Sequence, residues 1–138
     1  MGMENGKQLR RQAVRIGKDE YQVLCEVCGR TAFVFKVGDF LGKIGFVFTG
    51  ITHETTIPME ERPKVFELLE RNAIGELHDH LKGHTTIWDG LDAYCPECDK
   101  VYCADHWRTE VVMDEEWSDF YDCTYGTCPK GHRRMIDD

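Results

Sequence analysis

The residues of this chain best suited to chemistry are seven cysteines and six histidines. Eight of them form four closely spaced pairs: Cys25/Cys28, Cys95/Cys98, Cys103/His106 and Cys128/His132. A gap of two or three residues lets both side chains of a pair reach one ion from a tight turn. Four such pairs supply the ligands of two closed tetrahedral sites, so the sequence predicts two structural Zn²⁺ ions per chain.

Four pairs can be joined into two sites in three ways. Both C-x₂-C segments are typical of β-hairpin turns, and we call each such turn a knuckle. Two knuckles that face each other make a zinc ribbon. We therefore expect sequential pairing. The first site would then hold both C-x₂-C pairs, with a net charge of about −2, and the second site both mixed pairs, with a charge near zero. The crossed alternative joins the first pair to the third and the second to the fourth. The last alternative joins the second pair to the third.

The seventh cysteine, Cys123, lies outside the four pairs, although it could replace Cys128 or His132 as a ligand. The odd number of cysteines argues against a closed disulfide framework. A redox dithiol of the thioredoxin type needs a βαβ context, whereas Cys25 follows an alternating apolar run and precedes a Gly-Arg turn. Structural zinc is therefore the better interpretation of these motifs.

A second candidate metal site is His80 with His84. On a helix the two side chains lie one turn apart on the same face, with Glu76 a turn earlier, and such a set can hold a catalytic metal. However, Gly83 is a natural helix end, and histidines are common in the last turn of a helix. The sequence contains no H-E-x-x-H pattern. The surface interpretation of these histidines is favoured, and no catalytic residue is assigned.

The sequence pattern around the four pairs predicts an α+β fold, with a small antiparallel sheet, zinc-ribbon knuckles and one principal helix. Residues 20–37 alternate in polarity and predict a hairpin with the first knuckle at its tip. Residues 43–52 predict a further strand. Apolar residues at three- and four-residue steps predict a helix over residues 60–82, with Gly75 as a weak point. Residues 111–113 predict a short strand or the start of a helix.

Composition narrows the function class. The 138 residues include 17 basic and 25 acidic side chains, a net charge of −8, and 41% are hydrophobic. No stretch approaches the ~20 apolar residues that span a bilayer, and the first residues lack the apolar core of a signal peptide. We therefore expect a cytoplasmic protein that does not enter a membrane. Residues 1–18 are expected to form a mobile basic arm or a first edge strand, and residues 19–138 a single zinc-stabilised domain.

The stretch Y-C-P-E-C-D-K-V-Y-C-A-D-H-W, residues 94–107, resembles the centre of the in-between-RING double-zinc module. With Cys128 and His132 the resemblance extends over residues 94–132. It implies sequential zinc sites and a zinc-ribbon geometry. His106 stands where that family has a cysteine, and a long segment separates Cys28 from Cys95 in place of a short loop. Ubiquitin-ligase activity is therefore not carried over.

These observations predict a non-enzymatic protein-interaction module, similar to an adaptor or an inhibitor, with a protein as its partner. The first alternative is a nucleic-acid-binding zinc ribbon that uses the basic arm, with Arg10, Arg11, Arg15 and Lys18. The acidic remainder of the chain disfavours it, because like charge repels a phosphate backbone. The second alternative is a metal-dependent hydrolase at His80 and His84.

Overall fold

The computed structural model describes residues 11–83, 85–116 and 121–137. Its strands and helices are β1 (Ala13–Gly17), β2 (Glu20–Leu24), β3 (Thr31–Phe40), β4 (Lys43–Thr49), β5 (Glu54–Ile57), α1 (Arg62–Glu70), α2 (Ile74–Leu81), β6 (Tyr94–Cys95), β7 (Lys100–Val101), β8 (Arg108–Met113), β9 (Tyr121–Thr127) and β10 (Arg133–Asp137). Short 3₁₀ turns occupy Met59–Glu61 and Ala104–His106. The α+β class is confirmed. None of the helices in these ranges is long and apolar enough to cross a membrane.

The strands form three antiparallel sheets. Strands β1 to β5 follow one another in a five-stranded meander, β6 and β7 form a short hairpin, and the third sheet has the order β10-β9-β8. The predicted hairpin over residues 20–37 is confirmed as β2 and β3, with the first C-x₂-C pair between them. Strand β4 covers most of the predicted strand at residues 43–52. Residues 111–113 end strand β8, which settles the strand-or-helix alternative.

The core is built on the face of the five-stranded sheet that carries alternate phenylalanines. Phe33 and Phe35 of β3 pack against Phe46 and Phe48 of β4, with ring centroids 5.0–5.8 Å apart. The two helices add their apolar side chains to the same cluster: Val65, Leu68, Leu69, Ile74, Leu77 and Leu81. Each large apolar side chain that is fully buried stabilises the fold by about 1.5–3 kcal/mol.

The predicted helix over residues 60–82 is divided in two. Asn72, at φ 56°, stands in the left-handed region just after α1. The N–H of Ala73 donates to the carbonyl of Leu68, which is the hydrogen bond of a Schellman helix end. The Asn72 side chain also accepts the backbone N–H of Ala13 at 3.0 Å. The helix therefore ends at a tertiary contact with β1, and Gly75 lies inside α2.

The segment predicted as a basic arm contains strand β1, which pairs with β2 at the edge of the meander. Residues 1–10 lie outside the described residues. The Gln12 side chain donates to the carbonyls of Leu24 and Val101 at 2.8 and 3.1 Å. Its oxygen accepts the N–H of Val101 at 3.3 Å. Gln12 thus ties the start of the five-stranded sheet to the β6–β7 hairpin.

A buried carboxylate joins the meander to the segment that leads into β6. Asp92 is fully buried, and it accepts the backbone N–H groups of Ile51 and Thr52 at 3.1 and 2.9 Å and the Thr52 hydroxyl at 2.6 Å. Gly50 leaves room for this approach, since a Cβ there would lie 2.4 Å from an Asp92 oxygen. The β4–β5 loop is therefore fastened next to the β6–β7 hairpin.

Asp92→Ala is expected to lower the free energy of unfolding by about 2–4 kcal/mol, because each buried donor left without an acceptor costs about 1–3 kcal/mol. Denaturant unfolding of the zinc-loaded chain measures this loss. The matched control is Asp39→Ala, at an exposed position, which should change stability by less than about 0.5 kcal/mol. Equal stabilities for the two variants would contradict the role assigned to Asp92.

Candidate metal centre

Four potential ligands converge at the tip of the β2–β3 hairpin. Cys25 and Cys28 come from that tip, while Cys103 and His106 come from the 3₁₀ turn that follows β7. The Cys25 sulfur lies 3.5 Å from Nδ1 of His106, and the Cys28 sulfur lies 3.6 Å from the Cys103 sulfur. The Cys103 sulfur lies 3.3 Å from the same Nδ1. We call this group cluster 1.

A second group, cluster 2, lies at the tip of the β6–β7 hairpin. Cys95 and Cys98 meet Cys128 and His132 from the turn between β9 and β10. The sulfurs of Cys98 and Cys128 are 3.7 Å apart, and Nδ1 of His132 lies 3.3–3.6 Å from the three sulfurs. Nε2 of His132 lies 3.6 Å from a carboxylate oxygen of Glu97. Acceptors on the far nitrogen orient an imidazole for metal binding.

The spacing of both groups fits a tetrahedral metal site. Metal–sulfur bonds of about 2.3 Å and metal–nitrogen bonds of about 2.0 Å give tetrahedral edges of roughly 3.5–3.8 Å. The measured separations of 3.3–3.7 Å match those edges. A disulfide would need sulfurs about 2.05 Å apart. Each group offers three sulfurs and one nitrogen, so each could hold one metal ion.

The expected sequential pairing is wrong. The structure joins the first pair to the third and the second to the fourth, which is the crossed arrangement. The reason lies in β7: the carbonyl of Val101 accepts the N–H of Glu26 at 2.8 Å, which brings the chain after β7 against the β2–β3 tip. The tip of β6–β7 faces the β9–β10 turn instead. The two knuckles therefore face different partners and make no common ribbon site.

The turns that present the ligands share one backbone device. Gly29, Asp99 and Gly131 all have positive φ, at 78°, 56° and 93°. Gly29 and Asp99 directly follow the second cysteine of their knuckles, where a left-handed residue turns the chain back into the next strand. Two residues after the first cysteine of a turn, a backbone N–H donates to the sulfur of that cysteine. The N–H of Val27 donates to the Cys25 sulfur at 3.3 Å, and the N–H of Lys130 donates to the Cys128 sulfur at 3.3 Å.

In each cluster one thiol is electrostatically prepared to ionise. The backbone N–H of Arg30, followed by its side chain, lowers the pKa of Cys28 to about 6. Burial acts to raise the pKa of Cys128, but backbone hydrogen bonds from His132 and Lys130 outweigh it and lower that pKa to about 7. Thiolate is the form that binds metal. That Arg30 lowers the pKa of Cys28 was not predicted from the sequence. The available signal was a basic residue two positions after the second cysteine of the knuckle.

A second thiol in each cluster has a raised pKa, which favours its protonated form. Burial raises the pKa of Cys95 to about 12 and that of Cys103 to about 11. Packing several sulfurs together away from water is unfavourable for their charged forms. A divalent cation removes this conflict, because a coordinating thiol is deprotonated outright. A bound divalent cation would therefore balance the negative charge of the thiolates in each cluster.

The remaining candidates from the sequence do not join these groups. Cys123 belongs to neither cluster: it lies on β9 opposite Val112 and is buried. Nε2 of His80 lies 2.7 Å from a carboxylate oxygen of Glu61. The alternative metal site at His80 and His84 includes His84, which lies outside the described residues.

Residues 14–138 match the model of a family described as Domain of unknown function (DUF8328). The chain belongs to this family. No curated protein and no solved structure matches the sequence. All eight cluster residues lie inside the region that matches DUF8328, and the match is to neither a RING nor a zinc-ribbon family.

The crossed arrangement predicts which double substitutions remove one ion and which remove two. Cys25→Ser with Cys103→Ser breaks cluster 1 alone, so this variant should keep one zinc per chain. Cys25→Ser with Cys95→Ser breaks both clusters and should keep none. Zinc is counted by native mass spectrometry of the purified variants.

Sequential pairing would give the opposite result for these two variants, one zinc for Cys25/Cys95 and none for Cys25/Cys103. The control is Cys123→Ser, which should keep both ions because Cys123 lies outside the clusters. Loss of an ion from this control would contradict the ligand sets of clusters 1 and 2.

Proposed function

We propose that this protein binds two structural Zn²⁺ ions, and that the surface they support is a non-enzymatic protein-interaction module. One observation carries the proposal: two groups of three cysteines and one histidine, each with tetrahedral spacing, join a hairpin tip to a Cys/His pair farther along the chain. Sites closed by four protein ligands are typical of structural zinc, whereas catalytic zinc keeps one position for water.

Zinc is favoured by the donor set. Soft thiolates select Zn²⁺, Cu(I) or iron–sulfur clusters, and a tetrahedral mixture with imidazole is typical of Zn²⁺. With three thiolates and one neutral imidazole, each occupied site carries a net charge of about −1. At cluster 1 the Arg30 guanidinium interacts with Cys28 and lies 2.8 Å from Asp105, so the negative site has a cation beside it.

The proposed role of the ions is to fasten short elements that could not stand alone. Strands β6 and β7 have two residues each, and an isolated short hairpin is only marginally stable. Cluster 1 holds this hairpin to the five-stranded sheet and cluster 2 holds it to the three-stranded sheet. Structural zinc contributes about 10–16 kcal/mol of apparent binding free energy in small domains. Residues 19–138, together with β1, would then form one zinc-stabilised domain.

The surface supports binding of a protein partner, in the manner of an adaptor or an inhibitor. Leu41, Ile44 and Met59, near the β3–β4 turn, are 89%, 71% and 43% exposed. Grouped exposed apolar side chains mark interaction sites, because their exposure is otherwise unfavourable. We place the protein in the cytoplasm, since a reducing compartment keeps cysteines available for zinc.

The contacts of the described residues favour neither alternative function. Arg11 donates to the carbonyls of Leu69 and Glu70, and Arg15 donates to those of Gly17 and Lys18, so both guanidinium groups have partners within the chain. A nucleic-acid interface needs basic groups directed outward. The hydrolase alternative predicts a third, exchangeable metal ion and an activity that His80→Ala removes.

Removal of zinc with a chelator is expected to unfold the protein. Because metal binding and folding share one free energy, the release of zinc and the loss of far-ultraviolet circular dichroism should follow the same curve. Native mass spectrometry run in parallel should show two ions lost only with unfolding. A third ion that leaves first, while the fold persists, would contradict a purely structural role.

The interaction part is tested with the same zinc-loaded chain in cross-linking capture from lysate of its source cells. A partner should be cross-linked saturably, and excess free chain should compete with it. The chelator-unfolded chain is the control and should capture nothing specific. Absence of any saturable partner would contradict the interaction proposal and leave the zinc part standing.

A further inference from the structure

The turn between β3 and β4 presents an apolar side chain at an unusual place. Phe40 pairs with Lys43, so Leu41 and Gly42 form a two-residue loop. Both have positive φ, 53° and 88°, as in a type I′ turn. Asn, Asp or Gly usually occupies the first position, because a branched apolar residue in the left-handed region is strained. Leu41 is nevertheless there, and 89% of it is exposed.

The same end of the sheet has an incomplete edge. Strand β5 pairs with β4 from Thr49↔Glu54 to Phe46↔Ile57 and then stops at Pro58, which has no N–H to donate. In a two-residue hairpin the pair that flanks the loop exchanges hydrogen bonds, so Ile44, the next residue, directs its N–H and C=O away from β3. No described strand pairs with Ile44 on that side. The N–H and C=O of Ile44 are thus open to an added strand where β5 ends.

An apolar groove accompanies this open edge. It has a volume of about 530 Å³, and its walls include Leu41, Ile44, Phe46 and Met59. Among the described residues that line it, Lys43 is the only charged one. The groove is therefore complementary to an apolar segment that carries a negative charge.

We propose that this edge binds an extended, acidic and apolar peptide segment of a partner protein, which adds a strand to β4 where β5 ends. The peptide backbone bonds to the N–H and C=O of Ile44, alternate apolar side chains enter the groove, and a carboxylate meets Lys43. Main-chain bonds supply affinity and pockets supply specificity in this mode of recognition. The inference rests on the interaction part of the proposed function.

The test is a selection of random peptides of about ten residues, the reach of one strand, on the zinc-loaded chain. Enriched peptides should alternate apolar residues and contain Asp or Glu. Ile44→Lys should weaken their binding by at least about tenfold. Val111→Lys is the matched control, since Val111 is 59% exposed on β8, and it should bind as the wild type does.

Two further measurements separate strand addition from other causes. Methylating the peptide amides one at a time should abolish binding at one position only, because beyond β5 the open side of β4 offers a single acceptor, the C=O of Ile44. Leu41→Asn should weaken peptide binding while keeping or raising thermal stability, since Asn suits the left-handed turn. A merely structural role for Leu41 would not produce that combination.

Three results would overturn the inference: no enriched peptide, enriched peptides that bind as helices and ignore amide methylation, or a dimer of the free chain that Ile44→Lys dissociates. Zinc is counted in each variant, so loss of the fold is recognised separately. If a partner is captured from lysate but Ile44→Lys leaves its capture unchanged, the strand-addition site is wrong and the interaction function stands.

Discussion

The structure depends on one short segment that supplies residues to both candidate metal-binding clusters. Cys95 and Cys98, at the β6–β7 tip, belong to cluster 2, while Cys103 and His106, just after β7, belong to cluster 1. This segment has almost no strand of its own to stabilise it. Cluster 1 joins this segment to the five-stranded sheet and cluster 2 joins it to the three-stranded sheet, so an ion in each cluster would hold the two sheets to each other through it.

Hydrogen bonds between the segment that leads into β6 and residues in or next to the three-stranded sheet reinforce this arrangement. Arg134 of β10 donates to the carbonyls of Leu91 and Tyr94 at 2.8 and 2.7 Å, and the Trp107 indole donates to the carbonyl of Ala93 at 3.2 Å. Buried donors and acceptors fix the position of an element, because leaving them unpaired is costly. The metal sites are thus embedded in a hydrogen-bonded frame.

The sequence was sufficient to predict features set by neighbouring residues, but it was insufficient to predict features that depend on contacts between distant segments. The four ligand pairs, the hairpin with the first knuckle and the aromatic strand β4 follow from spacing and alternation, which are properties of neighbouring residues. The pairing of the sites depends on which way the β6–β7 hairpin faces, and Val101 and Glu26 decide this across a long loop. The break between α1 and α2 has a similar cause, since the Asn72 side chain bonds to β1 far back in the sequence.

The central claim is that each ion is shared by a hairpin tip and a distant Cys/His pair. Cadmium-113 substituted into the chain can be correlated by NMR with the protons of the cysteines that bind it. The account predicts two cadmium signals of similar shift, since both sites have three sulfurs and one nitrogen. One should correlate with Cys25, Cys28 and Cys103, and the other with Cys95, Cys98 and Cys128. A cadmium signal that correlates with both C-x₂-C pairs at once would contradict the account.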